Sequence, residues 1–142
     1  TAILEVARAE QRVVVTAGPT QEDLDPVRYL GNRSSGRMGF ALAADAARRG
    51  AEVVLITGPT SLAPPPAVGI IAVRSAADMH RAVMDHAPDA DVVIMAAAVA
   101  DYTPAAPARE KIAKTAARRA CSACRTDNDP DARFCKQCGA KL

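Results

Sequence analysis

The chain has 142 residues, of which 49% are hydrophobic and 3% aromatic, with no Trp. That suffices for one ordinary core of aliphatic and alanine side chains and excludes a second domain of similar size. The net charge of +2 hides an asymmetry: residues 1–106 carry nine basic and twelve acidic side chains, whereas residues 107–142 carry nine basic and four acidic. The C-terminal part is therefore compositionally distinct and suited to an anionic neighbour. The longest apolar run, residues 92–100, falls far short of the ~20 residues of a membrane span. No signal-peptide pattern opens the chain, so the expectation is a soluble, cytoplasmic protein without membrane association. It begins at Thr1 rather than Met, which fits a fragment or a processed product equally.

In chain order, residues 1–11 read as a linker remnant with weak helical patterning, and 12–106 as an α/β domain. Its first strand is 12–17, around Val13, Val14 and Val15. An alanine-rich helix follows over 37–49, stopped by Gly50 as helix C-termini commonly are. A second strand spans Ala51 to Thr57, and a proline-rich loop over 62–68, with Pro64, Pro65 and Pro66 in a row, forbids regular helix. Residues 69–73 make a third strand. Ser75 with Asp78 forms a capping-box pattern that opens a helix running to His86. Residues 91–98 make a fourth strand, apolar on both faces as in a parallel sheet. Strands alternating with helices predict a Rossmann-like parallel sheet flanked by helices. The third strand's neighbour stays open, since the proline-rich segment replaces a crossover helix. Residues 107–120 read as a basic helical linker, and 121–142 as a separate metal-binding tail.

The most informative stretch is the polar, glycine-punctuated loop between the first strand and its helix, residues 18–39. Loops at this place in α/β proteins hold anions, because backbone N–H groups are free and the helix N-terminus favours negative charge. This loop is long for such a connection, and Arg28, Asn32, Arg33, Ser34, Ser35 and Arg37 are good phosphate and carboxylate partners. A dinucleotide fingerprint is absent: Gly18 is followed by Pro19 and Thr20, and the second strand ends without a carboxylate for a ribose. The Gly-Lys-Ser/Thr of a phosphate-binding P-loop is absent too. Taken alone, Asn32 suits a turn as well as a ligand site, and Ser34 and Ser35 suit a helix cap. Asp101 could equally be a turn residue before Pro104, and Lys111 and Lys114 a solvated face. His80 and His86 read as surface residues.

Four separated segments nevertheless resemble the phosphopantothenate–cysteine ligase family, the nucleotide-dependent half of a bifunctional flavoprotein of coenzyme A biosynthesis. They are Thr16-Ala17-Gly18-Pro19-Thr20; Asp25-Pro26-Val27-Arg28-Tyr29; Asn32-Arg33-Ser34-Ser35-Gly36-Arg37-Met38-Gly39; and Ala96-Ala97-Ala98-Val99-Ala100-Asp101-Tyr102. Glu110-Lys111-Ile112-Ala113-Lys114 resembles that family's lysine-bearing segment. The resemblance covers about residues 12–114 and implies ligation of 4'-phosphopantothenate with cysteine at the expense of CTP and Mg²⁺, through an acyl-cytidylate. It implies that Asn32 binds or polarises the acyl-cytidylate and Arg28 holds the loop or a substrate phosphate. Gly18, Ser34, Ser35 and Gly36 would line the phosphate cradle. Ala96, Ala97, Ala98 and Asp101 would contact the nucleotide, and Lys111 would neutralise triphosphate charge. It further implies a homodimer and an upstream flavoprotein decarboxylase domain. The chain departs from the pattern by turning to a different composition near residue 115 and by carrying Ala113 where a second lysine is usual. Both departures point to a truncated or inactive version of the site.

Cys121 and Cys124, then Cys135 and Cys138, form two C-x-x-C knuckles separated by ten residues. That arrangement supplies four thiolates to a structural, tetrahedral Zn²⁺, with Gly139 allowing the second knuckle to turn. Two disulfides are the competing pairing and fit an oxidising compartment poorly matched to this chain. The tail resembles a zinc ribbon, with Phe134 expected to pack beside the metal. The alternative function is an interaction module, in which Arg118, Arg119, Arg125, Arg133, Lys136 and Lys141 meet nucleic acid or protein on a vestigial nucleotide-binding scaffold. With one aromatic and no base-reading pattern in the tail, nucleic acid is not the expected partner.

Overall fold

The computed structural model describes residues 10–112, 119–128 and 132–142. The expected helical patterning over 2–9 and Lys114 lie outside them. The chain divides into two units, Thr1–Lys111 and Ile112–Leu142. No helix among the described residues is long and apolar enough to cross a membrane.

In the first unit, valine-rich β1 (Arg12–Ala17) lies at the centre of a parallel sheet with β4 (Glu52–Thr57), β5 (Val68–Ala72) and β6 (Val92–Met95), ordered β5-β4-β1-β6. Val13 pairs with Val53 on one side and Val92 on the other, so the strands start level. Alternation along β1 sends its side chains to opposite faces. Val13, Val15 and Ala17 pack with Phe40, Ala43 and Ala46 of α1 (Arg37–Arg48), while Val14 packs with Ile56 and with Met79 of α2 (Ala76–His86). A helix thus covers each face. The fully buried alanines 43 and 46 let α1 approach the sheet closely, which is how a core with few aromatics closes.

Local signals terminate the helices as read. Ser75 Oγ accepts from Asp78 N and the Asp78 carboxylate accepts from Ser75 N, the full capping box. The hydrogen bonds from Ser75 hold the Asp78 carboxyl below its ordinary range. This cap is therefore in place at neutral pH and is lost as acid protonates the carboxylate. Gly50, in left-handed backbone, follows α1 and returns its N–H to Ala47 O.

Four expectations are corrected. The loop before α1 contains an antiparallel hairpin, β2 (Gln21–Asp23) with β3 (Tyr29–Gly31), its strands of three residues too short for a periodicity signal. The fourth strand is shorter than 91–98 and is an edge among the described residues: Val92 and Ile94 are half-buried, while Val93 and Met95 are exposed, so it lacks the two-faced burial of a central strand. The helical linker does not form in its described part. Residues 104–112 are irregular and Arg119–Ala120 is β7, paired antiparallel with β8 (Asp127–Asn128). Finally, residues 10 and 11 join the sheet's lower edge through Glu10 N to Gly50 O and Glu52 N to Gln11 O. The third strand's open neighbour is β4, in parallel register from Val53↔Val68.

A side chain at Gly58 would place its Cβ 1.6 Å from the Pro19 carbonyl oxygen, a backbone atom that cannot swing aside. Gly58→Ala is expected to cost the α/β unit about 3 kcal/mol through forced backbone displacement, read as a lowered urea midpoint at unchanged m-value.

Candidate functional site

The site grows from the C-terminal ends of β1 and β6. In this strand order the chain leaves β1 toward β4 on one side and returns beside β1 on the other as β6, so the loops after β1 and β6 diverge at a topological switch point, where open α/β sheets bind ligands.

Two buried threonines tie those loops together. Thr16 Oγ1 accepts from Ala96 N (3.1 Å) and Ala97 N (3.2 Å), and Thr20 Oγ1 accepts from Ala100 N (2.8 Å). Backbone bonds run between them, from Ala98 N to Gly18 O (2.8 Å) and from Thr20 N to Ala98 O (3.3 Å). The alanine segment thereby continues the β1 pairing beyond the end of β6. Asn32 closes the third side, its Nδ2 donating to Val99 O at 2.8 Å.

Gly36 precedes α1 in left-handed backbone (φ 77°), and a Cβ there would lie 3.2 Å from Gly18 N. The two glycines bring the α1 N-terminus against the exit of β1. That terminus carries no side-chain cap and no acidic residue in its first turn. Ser34 Oγ instead accepts from Gly36 N, and Ser35 contributes its carbonyl to Thr60 Oγ1; neither serine caps the helix, and both side chains are exposed. Helical N–H groups with positive dipole are left facing the loop, a ready seat for an anion.

Arg28 is held at the hairpin turn. Asp25, 2% exposed, accepts from Val27 N and Arg28 N at 2.8 Å with Oδ1, and from Arg28 Nε (2.9 Å) and Nη2 (2.5 Å) with Oδ2. This two-pronged pair fixes the guanidinium's direction. The hairpin is docked on the start of α2 by Gln21 N to Arg74 O, by Ala76 N to Glu22 Oε1 (2.7 Å), and by Arg74 paired with Asp23. A hydrogen bond from Arg74 keeps the Asp23 carboxyl below its ordinary range.

The structure therefore brings together Gly18, Asn32, Ser34, Ser35, Gly36, Ala96, Ala97 and Ala98, with Arg28 on the adjoining hairpin. Asp101 and Lys111 are exposed on the following irregular segment, and among the described residues no hydrogen bond or ion pair joins them to this group. Sequence reasoning quoted Thr16, Thr20 and Asp25 within the family-like segments without giving them a role, and missed Glu22 and Arg74. A polar residue closing an apolar strand was the available signal for Thr16.

In the second unit, the Sγ atoms of Cys121, Cys124, Cys135 and Cys138 lie within 4.8 Å of one another. Cys121–Cys138 and Cys124–Cys135 are 3.7 and 3.5 Å apart, and all four are free thiols. Tetrahedral Zn²⁺ with Zn–S bonds of about 2.3 Å separates its sulfurs by about 3.8 Å, so this donor set fits that ion. Each knuckle ends in left-handed backbone, at Arg125 (φ 61°) and Gly139 (φ 72°). The Cys135 thiol is held down to about 6, first by a hydrogen bond from Cys138 N–H. Cys138 is pushed up to about 12: the Ala140 N–H draws it down but is outweighed by neighbouring Cys124, burial and the other thiols. Sulfurs crowded this closely cannot all be anionic without a cation among them. Phe134 is 61% exposed, contrary to its expected packing beside the metal; Asn128 is buried there instead.

Strand order and loop placement define the class: a Rossmann-like α/β domain with its ligand face at the strand C-termini. The chain belongs to the DNA/pantothenate metabolism flavoprotein C-terminal domain family, which it matches over residues 8–132. It is 53% identical over 105 residues to the coenzyme A biosynthesis bifunctional protein CoaBC of Vibrio cholerae, covering 74% of this chain and 26% of that protein. To the CoaBC of Escherichia coli K12 it is 54% identical over 104 residues, covering 73% and 26%. The crystal structure of the C-terminal domain of a CoaBC superposes with a TM-score of 0.67 at 52% identity, covering 70% of this chain and 51% of that one. The chain thus spans about a quarter of the curated relatives it matches and about half of the solved domain.

Thr20→Ala would orphan the Ala100 N–H. It should destabilise the α/β unit by about 1–3 kcal/mol and speed amide exchange at Ala98 and Ala100, with Thr20→Ser restoring both.

Proposed function

We propose that the α/β unit carries the strand-end half of a phosphopantothenate–cysteine ligase site, acting in coenzyme A biosynthesis. The observation that supports the reading most is Asn32 donating to Val99 O across the switch point, in a family whose named relatives are CoaBC proteins at 53–54% identity.

In this reading the carboxylate of 4'-phosphopantothenate attacks the α-phosphorus of CTP. A P–O bond forms as the bond to the bridging oxygen breaks, and pyrophosphate leaves with the electron pair. The amine of cysteine then attacks the acyl carbon, CMP departs and the ammonium proton is lost to solvent. Such chemistry asks for positioning and charge neutralisation rather than a strong nucleophile. The uncapped α1 N-terminus takes phosphate oxygens on its N–H groups, beside Gly18, Ser34, Ser35 and Gly36. Arg28, aimed by Asp25, holds an anionic group of the substrate. Asn32, whose Nδ2 is engaged by Val99, offers Oδ1 and its remaining N–H to the acyl-cytidylate. Ala96–Ala98 and Asp101 face the nucleoside, and Lys111 counters triphosphate charge. Mg²⁺ is taken to arrive on those phosphates, because the metal-ligating cluster found among the described residues is the cysteine one. That cluster holds Zn²⁺ structurally in this reading, its four positions filled by protein. A homodimer and an upstream flavin-dependent decarboxylase domain accompany the proposal.

The interaction-module alternative gains no charge from the ribbon itself. Within residues 119–142 the five basic and three acidic side chains are balanced by a four-thiolate zinc centre of charge −2, so the positive charge open to a phosphate backbone lies in the flank before the ribbon.

Calorimetry should show CTP with Mg²⁺ binding more tightly than ATP or NAD; equal affinities would overturn the assignment. With phosphopantothenate present, Asn32→Ala should leave CTP affinity within about twofold and cut pyrophosphate release about a hundredfold. Metal analysis should find about one Zn per chain, with chelation collapsing amide dispersion in the tail while leaving the melting of the α/β unit in place.

A further inference from the structure

Among its described residues, the tail buries one polar side chain besides its cysteines. Asn128, on β8, is 3% exposed and sits where both halves of the ribbon meet. Its Oδ1 accepts from Lys136 N at 2.9 Å, inside the second knuckle. Its Nδ2 reaches Thr126 O (2.7 Å), Arg119 O (3.4 Å) and Cys135 Sγ (3.6 Å). The amide has only one workable orientation. Lys136 offers a donor and the other three neighbours only acceptors, so a flipped side chain would set N–H against N–H and oxygen against oxygen and sulfur.

We propose that Asn128 is a positioning residue of the four-cysteine metal site: its Nδ2–H donates to the Cys135 thiolate while its Oδ1 anchors the knuckle that carries Cys135 and Cys138. The inference rests on the metal reading of the cysteines. Four thiolates around one divalent cation leave two negative charges in a unit whose described residues bury almost no apolar side chain besides the cysteines, and N–H donors to sulfur are the means of dispersing them. Cys135 receives a backbone donor from Gln137 N at 3.4 Å. Asn128 supplies a side-chain donor from the other half of the ribbon, so closing the metal site and closing the β7–β8 hairpin onto the second knuckle become one event. Partners behind the ligands change metal affinity by about 10–100-fold when removed.

The test uses the full chain loaded with Co²⁺, Zn²⁺ or ¹¹³Cd²⁺. In Asn128→Ala the thiolate-to-cobalt charge-transfer band should move to longer wavelength, because an unbonded thiolate gives up its electron more readily. Zn²⁺ release to a chromogenic chelator should rise about tenfold or more. Asn128→Asp keeps an acceptor for Lys136 N but sets a carboxylate against sulfur, so it should release metal faster than Asn128→Ala. A role confined to holding the knuckle predicts the reverse order and an unshifted band, and that result would overturn the proposal. Where a variant fails to fold, the wild type decides: with ¹¹³Cd bound, the Asn128 side-chain amide proton should show scalar coupling to the metal through Cys135, and its absence sinks the assignment. A wild-type chain that gives no tetrahedral Co²⁺ spectrum removes the metal reading itself, whereas tetrahedral bands without the coupling remove Asn128 alone.

Discussion

The alanine ledge of the ligand face depends on two buried hydroxyls. β6 ends at Met95, yet the chain must stay beside β1 for five more residues if the loops are to frame a site. Thr16 and Thr20 help achieve this by accepting the N–H groups of Ala96, Ala97 and Ala100, beside the backbone bonds from Ala96 N to Thr16 O, Ala98 N to Gly18 O and Thr20 N to Ala98 O; an N–H left without a partner there costs about 1–3 kcal/mol. Alanines suit this segment because nothing in their side chains competes for those bonds. Asn32 then finds a carbonyl at a defined height, Val99 O, and the hairpin that delivers Arg28 is held independently through Glu22 and Arg74. The site is thus a set of backbone ledges with few side chains committed to them, appropriate to chemistry that needs orientation and charge more than reactivity.

The two units are stabilised by different means. The first closes an aliphatic core on both faces of a parallel sheet, with alanines at the helix contacts. The second buries Cys121, Cys135 and Asn128 and leaves Phe134 outside, so its order must come from the thiol cluster and the hydrogen bonds around it. Units of this length do not bury enough apolar surface to fold on hydrophobicity alone. In the metal reading proposed above, a bound cation answers that deficit, and the one amide buried among the tail's described residues is spent on the knuckle.

Much of the fold was legible along the chain. The β1 valines, the closing Gly50, the Ser75–Asp78 box and the paired cysteine knuckles are signals complete within a few residues, and each produced the element it announced. The hairpin was not legible: Gln21–Asp23 and Tyr29–Gly31 have three residues apiece and no alternation, and they pair because α2 offers them a dock. The helix expected over 107–120 failed in its described part because alanine and lysine propensity is a weak prior without a face to bury. β6 was over-read for a related reason, since an apolar run does not say how many neighbours a strand will have.

By itself, then, the sequence determined the alternation of strands and helices, the placement of a polar loop before α1, and a four-thiol tail, because each is written in local spacing. Tertiary structure decided which loops meet. Asn32 and Val99 are 67 residues apart and Thr20 and Ala100 are 80 apart, and only parallel pairing of β1 with β6 makes them neighbours. The physical reason is that a hydrogen bond's partner is chosen by distance in space, and in a parallel sheet that distance is set by strand order, which no short stretch of residues encodes.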